Sequence, residues 1–126
     1  MSNCHLAALL GIILVSGCDV NEEEYLQAHN AGKTEGASLN QDECLEISIE
    51  KIKACSSSSC SVYSAAYFRA CFSTAKKSSS ICKGVPPDEG VFKHNSWRTN
   101  QCEIHGADPV RCDVLFSNLQ AACDLS

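Results

Sequence analysis

Cysteines recur along this chain at an interval that a helix can use and a strand cannot. Cys44 and Cys55, Cys60 and Cys71, Cys71 and Cys82, and Cys112 and Cys123 are each 11 residues apart. On an α-helix that interval is about 1100°, roughly three turns, so both sulfurs lie on one face about 16 Å apart. On a strand an odd spacing puts them on opposite faces. The interval decides a segment that hydrophobic period leaves ambiguous, since Leu45, Ile47 and Ile49 alternate between Cys44 and Cys55.

Four serines, Ser56 to Ser59, separate Cys55 from Cys60 and suit a turn between helices with a cap for the second. Asn40, with Glu43 three residues on, makes a capping box for the first helix, so the folded part is expected to begin near Leu39. Two antiparallel helices then face each other with two cysteines each on the inner side. That geometry favours an outer bridge Cys44–Cys71 and an inner bridge Cys55–Cys60. The arrangement resembles twin-cysteine helical hairpins, with one residue more between the cysteines of each helix. The resemblance concerns architecture and implies no activity.

The second helix is expected to run from about Cys60 to Lys76, or on to Cys82, and Gly84, Pro86 and Pro87 end it. Residues 84–107, rich in Gly, Pro, Asn and Ser, read as irregular. The last helix starts at Asp108 as cap and Pro109 as first residue, with Val110, Leu115, Phe116, Leu119 and Ala122 as its apolar face. Cys82, Cys102, Cys112 and Cys123 allow three pairings, and spacing does not choose among them. The expected fold is a small all-α, disulfide-stapled helical domain, an α-hairpin plus a C-terminal helix, over residues 39–126. Ten cysteines in 126 residues, against one Trp and one Met, mark a chain stabilised by bridges rather than by a large core.

The N-terminus carries an address. Leu6 to Val15 is a run of ten apolar or small residues, the length of a signal-peptide core and too short to span a bilayer. It leads into Val15-Ser16-Gly17-Cys18, which resembles the bacterial lipobox. The resemblance implies a signal peptide over residues 1–17, lipid on Cys18, and a membrane partner reached through that lipid. It places the protein in the bacterial cell envelope, facing the periplasm. Asp19 resembles the inner-membrane retention signal of enterobacterial lipoproteins. With Cys4 removed and Cys18 lipidated, eight cysteines remain, an even number. Residues 19–43 hold seven acids and one base, so residues 18–38 read as a lipidated acidic tether. Within it Asn21 and Glu24 suggest a short helix near residues 22–31 that stops at Gly32.

A formal charge of -5 argues against a nucleic-acid partner. There is no G-x-S-x-G, no H-E-x-x-H and no Gly-rich phosphate loop, so no catalytic residue and no cofactor is expected. Cys102 and His105, with His94 and Cys112, outline a zinc site, but an oxidising compartment favours bridged cysteines, so no metal is expected. The best contact candidates are Phe92, Lys93, His94, Trp97 and Arg98, which combine aromatic area with positive charge in an apparent loop; for Trp97 the competing reading, and the favoured one, is a plug for the end of a small core. These features lead to a non-catalytic protein-binding lipoprotein, an inhibitor or immunity protein against an envelope-acting toxin or hydrolase. An accessory structural lipoprotein and an unrecognised enzyme are the alternatives.

Overall fold

The computed structural model describes residues 20–87 and 95–125. The signal-peptide, Cys18 and Asp19 readings, and Phe92, Lys93 and His94, lie outside them. Among the described residues the chain forms five helices: α1 (Glu22–Gly36), α2 (Gln41–Lys53), α3 (Ser58–Thr74), α4 (Asn95–Ile104) and α5 (Pro109–Asp124).

The α2–α3 hairpin forms with the expected bridges, but α2 ends at Lys53, so Cys55 lies just past the helix rather than on its face. The Asn40 side chain accepts from the Glu43 backbone at 2.9 Å and the Glu43 carboxylate accepts from the Asn40 backbone at 2.8 Å, completing the capping box. Ser57 caps α3 through the Cys60 amide. Cys44 bridges Cys71 and Cys55 bridges Cys60. The open choice among the other four resolves to Cys82–Cys123 and Cys102–Cys112. In the chain-entropy model each closure contributes about 2–4 kcal/mol, more for the longer loops.

α3 ends at Thr74, short of the expected Lys76 or Cys82. Backbone pairing with the start of α2 pulls the chain away: Lys76 donates to Leu39 at 2.9 Å, and Gln41 donates to Lys76 at 3.1 Å. The buried Gln41 side chain holds the same corner, donating to the Phe72 carbonyl and accepting from the Ser78 amide. Cys71 and Cys82 therefore share no helix, and their 11-residue interval is without structural meaning.

The largest departure concerns the acidic leader. The segment read as a tether forms α1, which continues through Gly32 to Gly36 and lies along α3. Gly32 and Gly36, one turn apart on a shared face, are buried against the α3 backbone. A Cβ on Gly32 would collide with the Tyr67 carbonyl, and one on Gly36 would stand 2.7 Å from the Cys71 carbonyl oxygen. The expected helix stop is instead a site of backbone contact. Polar groups finish the seam. Tyr67 donates its phenol to the Glu35 carboxylate, Arg69 donates to the Tyr25 hydroxyl, and the Asn21 amide donates to the Tyr63 hydroxyl at 2.7 Å. Lys51 of α2 lies 4.5 Å from the centre of the Tyr67 ring.

A second difference is α4, within residues expected to be irregular. It packs beside α5, whose Asp108 cap and Pro109 start are as expected. The main core gathers Ile49 and Ile52 of α2, Phe68 and Phe72 of α3, and Cys102, Ala107, Cys112, Leu115, Phe116 and Leu119 from the C-terminal half. Val110, assigned to the apolar face of the last helix, is instead 90% exposed. It stands in the first turn of α5, before the helix meets the core.

Replacing Gly32 by Ala would gain about 1 kcal/mol of helix propensity. The added methyl meets backbone, which cannot swing aside like the end of a side chain, and overpacking of this kind costs about 1–3 kcal/mol or more. Gly32→Ala should therefore lower stability by about 1–2 kcal/mol in urea unfolding. Burial, with the hydrogen bond to Glu35 and its negative charge, pushes the Tyr67 phenol well above the ordinary tyrosine range. Because the unfolded phenol ionises first, this group's stabilisation is complete below about pH 10 and declines as pH rises beyond it. Tyr67→Phe should flatten the alkaline limb of a stability-against-pH curve.

Candidate functional site

Of the expected contact residues, Trp97 and Arg98 are described, and helical structure turns both inward. Trp97 and Arg98 sit in the first turn of α4, so their directions follow the helix and not a loop. Trp97 is half-buried against the main core, its ring edge-on to Phe116 with centroids 5.8 Å apart. On the other side of Phe116 the His105 ring stacks at 6.0 Å. Arg98 is only 8% exposed. Its Nε donates to Asp113 at 2.7 Å and its Nη1 donates to Gln120 at 3.2 Å. Gln120 in turn donates to the Pro86 carbonyl at 3.3 Å, tying the double-proline segment to α5. Arg98 is thus an internal clamp and Trp97 packs on the core as its competing reading has it; what is corrected is the expected loop, since both residues lie on α4. Cys102 and Cys112 are bridged to each other and cannot serve as thiolate ligands beside His105.

A recess of about 490 Å³ opens elsewhere, between the C-terminal halves of α3 and α5. That volume is within the range of about 300–1,000 Å³ common for small binding sites. Phe68, Phe72 and Ala75 form its floor, and Ala121, Ala122 and Leu125 its far wall. Leu125 is 90% exposed, a large aliphatic side chain standing free at the rim. Arg69 and Lys77 are the two cations of the lining, and no carboxylate belongs to it. Neither cation forms an ion pair with another described residue. The backbone pairing of Lys76 with Leu39 and Gln41, next in the chain, holds Lys77 at the rim.

A smaller hollow of about 300 Å³ lies among α1, α2 and α3, lined by Ala28, Ala31, Lys51, Tyr63 and Tyr67 among others. It exists because α1 is docked. The recess has no local signature because its lining joins Gln41, the later part of α3 and the end of α5, stretches 27 and 41 residues apart. A signal was nevertheless present in Phe68 and Phe72, one turn apart on a helix whose tyrosines already fill another face.

No protein-family model, curated protein or solved structure matches the chain.

The inward placement sets an expectation for stability. Trp97→Ala removes a ring packed on Phe116 and should cost about 2–3 kcal/mol. Arg98→Ala leaves Asp113 and Gln120 without their donor and should cost about 2–3 kcal/mol. Arg98→Lys should recover only part of this loss, since one ammonium cannot reproduce the guanidinium fork. Paired urea titrations would check all three, and a neutral Arg98→Ala would contradict the clamp.

Proposed function

We propose that the protein is a membrane-anchored envelope lipoprotein, lipidated at Cys18, whose helical domain is a non-catalytic protein-binding module. The best reading within that class is an inhibitor or immunity protein acting on an envelope toxin or hydrolase. The observation that carries it is the α3–α5 recess, an apolar floor with two cations at its rim, neither in an ion pair with another described residue, on a scaffold held by four disulfides among the described residues. A stapled scaffold loses little conformational freedom on association, so more of the contact energy appears as affinity. Apolar floor and positive rim suit a partner segment that inserts an apolar side chain beside a carboxylate. Opposite charge at the edge adds orientation and speed of association more than affinity. Four disulfides also accord with an oxidising compartment, where a lipobox would deliver the chain.

Two measurements test this reading. Palmitate should label the wild-type chain and not Cys18→Ala, and equal labelling would remove the anchor. Captured from envelope extract and then purified, the partner should lose affinity about tenfold for a Lys77→Glu domain of unchanged melting temperature, since charge reversal at a rim replaces attraction by repulsion. A captured enzyme that stays fully active at saturating domain would exclude inhibition.

A further inference from the structure

The docking of α1 changes what an anchor at Cys18 would do. A flexible leader of 25 residues would let the domain wander over roughly 25–30 Å. Here only Asp19 and Val20 separate Cys18 from Asn21, whose amide is bonded to Tyr63 of α3. Three peptide units reach about 10 Å at most.

The end of the bundle nearest that point is well defined. α1 runs parallel to α3, because Gly32 meets Tyr67 and Gly36 meets Cys71. The start of α1 is therefore level with the start of α3 and with the α2–α3 turn. Arg111 donates to the Cys55 carbonyl at 3.1 Å, bringing the start of α5 to the same turn. The α4–α5 connection, residues 105–108, follows it there. Three of the exposed aliphatic side chains gather at this end: Val20, Ile104 at 65% exposure, and Val110 at 90%. The recess, with Leu125, lies at the opposite end of α5, about 22 Å away along its axis.

We infer that the anchored domain stands upright on the bilayer, with the end that carries Val20, Ile104 and Val110 against the lipid headgroups and the α3–α5 recess turned to the aqueous side. The inference rests on the anchor of the proposed function and adds the surface that meets lipid. The occupant of this end is a lipid surface because the acyl-bearing residue is three positions from the pinned Asn21. Glu22, Glu23 and Glu24 share this end of the bundle with Lys53 and Arg111, so an anionic headgroup gains little there and the contact depends on the anchor and the aliphatic side chains. A partner then approaches the recess from solution, clear of the membrane by about the length of α5.

The test uses two equally exposed positions at opposite ends of one helix. Full chains carrying Val110→Trp or Leu125→Trp are isolated from membranes, and intact mass confirms acylation at Cys18. Each is reconstituted into phosphatidylcholine vesicles containing brominated acyl chains, which quench indole at close range. Trp97 is common to both and cancels in the comparison, and both substitutions fall on exposed side chains, with melting temperature as the check on folding. Emission from Val110→Trp should be quenched severalfold more than emission from Leu125→Trp. Equal quenching, or stronger quenching at position 125, overturns the upright placement while leaving the anchor standing. A mass without acyl chains removes the anchor reading itself, and the placement with it.

Discussion

Cys71 is the residue on which three elements converge. Its sulfur holds α2 through Cys44, its carbonyl lies beneath Gly36 of α1, and the same carbonyl accepts the Ala75 amide that closes α3. A bridge at this point fixes how closely α2 approaches α3, and α1 then lies on what that bridge has made rigid. The seam of α1 contains little large apolar surface, only Ala28 and Ala31 with Leu39 beyond it. Close backbone approach and a few polar contacts suffice because α3 is already held in one position. Without the bridge, α1 would have a softer surface to pack against and would be marginal as an isolated helix of 15 residues.

The legible parts of the fold were those with a local cause. Asn40 with Glu43, Asp108 with Pro109, and the 11-residue cysteine interval within α3 and within α5 each act within a few turns, and each is found where expected. What was not legible depended on partners distant in sequence. Gly32 looked like a helix stop because a glycine at a terminus and a glycine at a helix crossing are the same residue, and only the opposing Tyr67 carbonyl tells them apart. α4 was hidden because its inward residues, Trp97, Arg98 and Cys102, include a charged one. The Arg98 guanidinium is buried only because Asp113 and Gln120, on another helix, receive it. The recess depended on the same kind of information, since Lys77 and Leu125 are neighbours only after α3 and α5 have packed.

Charge takes on a different meaning once the leader is a helix. Glu22, Glu23 and Glu24 stand in the first turn of α1, where negative charge favours the helix start, and Asn21 accepts from two of their amides. The acids thus help form the element that docks, and their sum belongs to a fixed surface rather than to a mobile coil. The cations Arg69 and Lys77 lie along or beyond the later part of α3, at the other end of the bundle from these three acids.

The bridges also have an order in time. Cys44–Cys71 and Cys55–Cys60 are complete within the first half, while Cys82–Cys123 encloses Cys102–Cys112. No bridge crosses between the two sets. A chain meeting an oxidant from its N-terminus onward can therefore finish the α2–α3 hairpin before Cys82 appears, so the first four thiols are consumed before the last four can compete for them. Cys82 repeats the position of Cys44, which waits for Cys71 while Cys55 and Cys60 pass, but over a longer separation of 41 residues against 27. It must stay reduced while 40 further residues arrive, with Cys102 and Cys112 passing on the way. Its mispairing with either is the error this arrangement invites, and it makes the second half the slower and more isomerase-dependent part of maturation.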